Sequence, residues 1–269
     1  MFQGYKIKPD VLLRFDDFSN YFEEGKSIFS RNVIETKKTL DNFINSDNVI
    51  DGTDIINNWF PEVDADVFIS HSHIDERFAI ELAGWLKINF GIKSFIDSCV
   101  WGYANNLLKS IDKVYCFNPQ TKLFDYNERN YSTSHVHMML ATALTYMIDK
   151  CECMFFIDSE NSIKPYADKD RTHSPWIYLE NVIANTIRTK IPERHSILLE
   201  DERYFNADGE GDLIKSLNIS YQVNFDSFQE LLFHNMRIWH RMQFNNSGEA
   251  LDFLYKMVSS KSNKNLLLD

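Results

Sequence analysis

Trp176 and Glu180 stand four residues apart behind Ser174-Pro175, a serine N-cap followed by proline in the first helical turn. That spacing puts both side chains on one face of a helix, so an aromatic plate and a carboxylate can meet the same ligand. Two other short stretches carry groups that can do chemistry. Ser70-His71-Ser72-His73 follows the apolar run Val67-Phe68-Ile69, and Asp97 follows Phe95-Ile96, with Trp101 four residues further on. In open α/β sheets, ligands bind outside the carboxyl ends of the strands. That rule gathers Ser70, His71, Ser72, Asp97, Trp101, Asp158 and Ser159 around one mouth.

The same residues have plainer readings. Glu180 reads as a solvated helix carboxylate, Trp176 as core packing at a helix start, and Ser70 to Ser72 as groups that satisfy a strand end. Asp97 reads as a turn cap, and Trp101, in an exposed loop, as a protein contact. His71/His73 and His135/His137 are both H-x-H pairs. The first lies at a strand exit and the second at a helix start where i and i+2 diverge, and no cysteine or acidic set completes either, so no metal site is expected. No G-x-S-x-G elbow, P-loop or G-x-G-x-x-G is present.

The elements that would position these groups alternate. Strands are expected at residues 67–69, 92–96, 154–157 and 196–199, with an edge strand at 219–225. Helices are expected from Phe78, Leu82, Trp85 and Leu86, stopping at Gly91, then at 105–112, at 136–148 behind Ser132 to Ser134, and from Ser174 to about Arg188. This strand–helix alternation predicts a parallel sheet with helices on both faces. Residues 113–131 read as an inserted excursion. Residues 15–44 read as one or two helices, and a further helical segment through Ile55 and Trp59 ends at Pro61. Phe228, Leu231 and Leu232 begin another helix, and Leu251, Leu254, Tyr255 and Val258 mark a last one.

The chain has 269 residues, 44% hydrophobic and 25% charged, with a net charge of −11 from 28 basic and 39 acidic residues. An acidic chain is repelled by phosphate backbones, so nucleic-acid binding is not expected. No stretch approaches the ~20 apolar residues of a membrane helix. Four scattered cysteines and no signal-peptide pattern predict reduced thiols in the cytoplasm.

Three segments, in order, resemble Toll/interleukin-1 receptor (TIR) domains, particularly bacterial ones: Asp66-Val67-Phe68-Ile69-Ser70-His71-Ser72 with Asp75; Gly91-Ile92-Lys93-Ser94-Phe95-Ile96-Asp97 with Gly102; and Ser174-Pro175-Trp176-Ile177-Tyr178-Leu179-Glu180, a W-x-x-x-E. The resemblance implies a flavodoxin-like open parallel sheet over residues 63–232, with a helical extension at 1–62 and a helical tail at 233–269. It implies an NAD⁺ glycohydrolase or ADP-ribose cyclase in antiviral defence or stress signalling. NAD would be the substrate, with no prosthetic group, and homo-oligomeric assembly and a defence-system partner protein are expected. Glu180 would be the catalytic carboxylate, and Ser70, His71, Ser72, Asp97, Trp101, Ser174 and Trp176 would bind the dinucleotide. Glu180 is expected to be exposed and kept ionised by the amide-rich helix N-terminus. The excursion at 113–131 and the aromatic loop with Trp101 and Tyr103 depart from the family's pattern. Alternative readings are a non-catalytic adaptor making homotypic contacts, or an enzyme like the nucleoside deoxyribosyltransferases.

Overall fold

The structure, a computed structural model, describes residues 1–33, 43, 50–101, 104–166, 169–195 and 219–262. Its centre is a five-stranded, all-parallel sheet built from β1 (Gln3–Ile7), β2 (Val67–Ser70), β3 (Ser94–Phe95), β4 (Cys153–Ile157) and β5 (Phe228–Leu231), in the spatial order β5-β1-β4-β2-β3. β2 and β4 are buried at every residue. Compact Val/Ile/Phe-rich runs without alternation are what strands covered on both faces require. The molecule is therefore an open α/β fold, as expected, and the segments at Val67, Phe95 and Phe155 are parallel neighbours.

The main helices are α1 (Tyr21–Val33), α2 (Gly52–Trp59), α3 (Glu76–Phe90), α4 (Ala104–Ile111), α5 (Tyr126–Lys150), α6 (Pro175–Thr186), α7 (Phe233–Arg241) and α8 (Ser247–Ser262). Side chains alternate across a strand, which assigns the two faces. Tyr5 and Phe155 share one face, where Trp239 of α7 stacks on Phe155 and Trp85 of α3 packs edge-on against Trp239. Lys6, Phe156 and Ser70 pair in one row on the other face. α6 covers that face and packs against α5. Gly91 ends α3 in the left-handed conformation (φ 69°), the expected helix stop.

Four expectations need correction, and the excursion at 113–131 gains a description. The reading of residues 1–62 as helical fails at Gln3–Ile7, which is a strand inside the sheet. Tyr5 and Ile7 are fully buried while Lys6 turns to the other face, a period of two that a helix cannot satisfy. Phe228–Leu231 is the edge strand rather than a helix start, because its backbone pairs with β1, and α7 begins only at Phe233. The edge strand expected through Val223 is displaced. Tyr221–Gln222 instead joins Lys164–Tyr166 and Lys169–Thr172 in a small antiparallel sheet. In the excursion, a π-turn at Asp112–Cys116 leads into a hairpin, Phe117–Asn118 against Leu123–Phe124. Finally, α5 starts at Tyr126 rather than behind Ser132, because the Asp125 side chain accepts from the amides of Asn127 and Glu128 and caps it. The strand expected at 196–199 and the loop residues Gly102 and Tyr103 lie outside the described residues. The tail forms α7 and α8, helical as expected, and the Trp239 indole donates to Ala250 O at 2.9 Å to tie them together.

Candidate functional site

α6 begins as its sequence dictates. Ser174 Oγ accepts from the Ile177 amide at 3.3 Å, and Pro175 occupies the first turn, where a missing N–H costs nothing. Ile177, Glu180, Asn181 and Ala184 are buried at i, i+3, i+4 and i+7, with Ile183 buried beside them, so Glu180 sits inside the stripe that faces the sheet. Asn181 locks the rotation of the helix. Its side-chain amide donates to Asn224 O at 2.7 Å, and its carbonyl accepts from Asn224 N at 3.0 Å. Tyr178 stacks on Tyr221 of the small antiparallel sheet, with centroids 4.6 Å apart.

Glu180 is 4% exposed, and its Oε2 accepts a hydrogen bond from Ser70 Oγ at 2.5 Å. Ser70, 2% exposed, is the last residue of β2, so this contact lies at the carboxyl edge of the sheet. Burial pushes the Glu180 carboxyl well above the usual carboxylate range. The charge of Asp97 pushes it the same way, while the Ser70 hydrogen bond works against both. The expectation of an exposed, ionised Glu180 is therefore corrected. Desolvation outweighs any help from a helix terminus more than one turn away, because the dipole effect fades within the first turn.

The other predicted residues divide. Asp97, half-buried at the end of β3, is close enough to act on Glu180 electrostatically. His71 and Ser72 leave β2 beside Ser70, half-buried. Trp176, one turn before Glu180, is half-buried and meets His137 of α5 edge-to-face at 5.3 Å. Ser174 spends its hydroxyl on the helix cap. Trp101 is not in an exposed loop: it is 5% exposed, packs on Phe60 and Phe95, and donates its indole N–H to Pro61 O at 2.9 Å. Its ring and donor are both committed to the core. The second H-x-H pair is split between neighbours, His135 against Tyr131 and His137 against Trp176.

The mouth also holds groups that sequence reasoning missed. Lys6 Nζ lies 3.2 Å from Asp158 and 3.6 Å from Asp170, and over the Phe225 ring at 4.8 Å. Its row places it two strands from Ser70, about 10 Å across the sheet. Asp75 clasps the loop after β4, accepting from Ser159 Oγ and from Asn161 Nδ2 at 2.8 Å. The alternation of Tyr5 and Ile7 about Lys6 was a usable strand signal. Nothing in the sequence announced the Asp75 clasp, which joins residues 84 positions apart.

The arrangement is a buried carboxyl with a hydroxyl partner, flanked by a second carboxylate and a half-buried indole. Such a group can accept a proton, or stabilise a cation that displaces its own proton. Comparison of the chain with protein-family models, curated proteins and solved structures finds no match.

Proposed function

We propose that the protein is an NAD-cleaving enzyme of the TIR type, with Glu180 as the catalytic carboxylate. The observation that carries the reading is Glu180 buried against Ser70 at the carboxyl edge of a parallel sheet, with Asp97 beside it. Two further features support it. The contact falls where the strand order reverses, between β2 and β4, which is the ligand crevice of flavodoxin-like folds. The order β3-β2-β4 is also the one that such folds share, with β1 and β5 completing the sheet.

The chemistry follows from the charge. A neutral, desolvated Glu180 is poised to ionise when a cation takes a place beside it, because an opposite charge favours the carboxylate. The nicotinamide ring of NAD⁺ is such a cation. As the C1′–N bond breaks, its electron pair leaves on the nicotinamide nitrogen and positive charge moves to the ribosyl centre. The Glu180 carboxylate stabilises that charge in a site with little water. Water then attacks C1′ and releases a proton to give ADP-ribose, or the adenine ring attacks to give a cyclic product. Self-assembly, a partner protein and a role in defence belong to the same proposal.

The test is incubation of the purified protein with NAD⁺ and separation of the products. Nicotinamide release by wild type, lost in folded Glu180→Gln, supports the reading. Turnover that survives the substitution removes Glu180 from the mechanism. An inert wild type leaves a scaffold protein.

A further inference from the structure

We propose that the excursion between α4 and α5 is an association surface, and that its occupant is the same segment of a second copy of this chain. From residue 113 to 131 every residue is exposed except Cys116. The hairpin pairs two residues with two, and no third strand flanks it. A two-stranded hairpin is marginal at best in water on its own. Six of the exposed residues are large and apolar: Tyr115, Phe117, Leu123, Phe124, Tyr126 and Tyr131, each between 39% and 76% exposed.

The area fits an interface. Side chains of this kind carry about 150–250 Å² each, so the six leave roughly 700 Å² uncovered in one short segment. The largest apolar patch on a monomer is usually about 300–600 Å², and a standard interface takes about 600–1,000 Å² from each partner. The segment is also held ready. At its root the buried Asp112 carboxylate accepts from Ser132 Oγ at 2.6 Å and from Arg129 Nε at 2.9 Å. The Arg129 guanidinium lies over the Phe124 ring at 5.5 Å, and Phe124 packs against Phe117 across the hairpin at 5.3 Å. A surface fixed before contact loses less entropy on binding.

Charge selects the second copy. Residues 112–131 hold three basic and three acidic side chains, 3 − 3 = 0, where the whole chain carries −11. Two copies repel one another elsewhere and can meet here without that cost. Asp112 and Arg129 satisfy each other. The other four, Lys113, Lys122, Asp125 and Glu128, are exposed and form no ion pair among the described residues. Two free cations and two free carboxylates on one surface are self-complementary: in a two-fold contact the lysines of each copy face the carboxylates of the other. The inference gives the self-assembly proposed above a surface, yet it does not rest on NAD cleavage, because association is read with no substrate present.

Sedimentation equilibrium of the full chain tests it. A dimer with a Kd below about 10 μM is expected. Leu123→Asp with Phe124→Asp changes only exposed positions and is expected to weaken the dimer at least about a hundredfold, with an unchanged circular-dichroism spectrum. Lys113→Glu with Lys122→Glu makes the segment anionic, and Glu128→Lys makes it cationic, so each variant alone should associate at least about tenfold more weakly. An equimolar mixture of those two variants should recover the dimer, because opposite charges then face each other. Only contact between two copies of this segment predicts that recovery. A chain that stays monomeric at about 100 μM, a dimer that the two aspartates leave intact, or a mixture no tighter than its separate components would each overturn the proposal.

Discussion

At the scale of single residues, the decisive fact is the burial of Glu180, and it changes what its substitution should do. Glu180→Gln is expected to lower NAD turnover by about 10²–10³-fold, the effect of removing ~3–4 kcal/mol of transition-state stabilisation. Stability should move the other way. The folded-state pKa of Glu180 is raised above its unfolded value, so its contribution to stability is complete below the unfolded pKa and is lost as pH rises through the folded one. Glutamine carries no such penalty. At pH 8 the variant should melt at or above the wild-type temperature, and a clear drop in a calorimetric scan would contradict the burial argument. Turnover itself should rise with pH as Glu180 loses its proton. Asp97→Asn removes a charge that holds the pKa up, so the rising limb should shift to lower pH. Ser70→Ala removes a bond that holds it down, so the limb should shift to higher pH. A limb that stays in place in both variants assigns it to another group. The position of Glu180 was legible from Ser174-Pro175 and the four-residue step from Trp176. Its burial was legible too, in the stripe of Ile177, Asn181 and Ala184, but α6 is apolar on most sides and the stripe is hard to pick out. Trp101 was misplaced because the segment after Asp97 was read as an exposed loop, whereas Asp97–Val100 is a helical turn, and the acceptor that draws Trp101 inward, Pro61 O, is 40 residues away.

Among the elements, α1 and α3 meet at two glycines. A Cβ on Gly25 would lie 2.0 Å from the Ile80 carbonyl oxygen, and one on Gly84 would lie 2.2 Å from that of Tyr21. Both obstacles are helix backbone, which cannot yield as a side-chain tip does. Gly84→Ala should therefore cost more than its favourable helix propensity returns, with a net loss of about 1–3 kcal/mol in urea unfolding. A variant as stable as wild type would show that the two helices are not in backbone contact. Neither glycine stood out in the sequence, because mid-helix glycine is read as a propensity defect until its neighbour is known. Strand legibility followed the same logic. β2 and β4 were visible because burial on both faces demands continuous apolar runs. β5 was not, because Phe228, Leu231 and Leu232 also fit a helical spacing, and four residues are too few to separate the two periods.

For the molecule as a whole, β1 is the organising piece, held between β4 and β5. Tyr5 is fully buried there and its hydroxyl has no hydrogen-bond partner. Tyr5→Phe deletes the orphan group and keeps the ring, so global stability should rise by about 1 kcal/mol, read as a higher denaturation midpoint with an unchanged m-value. Removing the first sixty residues would take out a strand, so a change in oligomeric state after that deletion would report a broken sheet and not a lost assembly surface. The same strand also sets an order of events as the chain is made. Gln3 pairs with Cys153, 150 residues later, and Gly4 with Phe228, 224 residues later. At about 5–20 residues per second, β1 waits roughly 8–30 s for its first partner to be synthesised. Through that interval β2 and β3 have already been made, while β1 has Tyr5 and Ile7 uncovered and both edges bare, the condition that invites mispairing and chaperone capture. A protein in which an interior strand precedes both of its partners by 150 residues or more should therefore be sensitive to translation speed, and a slow translational pause placed before Cys153 should lower its soluble yield more than the same pause placed after Leu231.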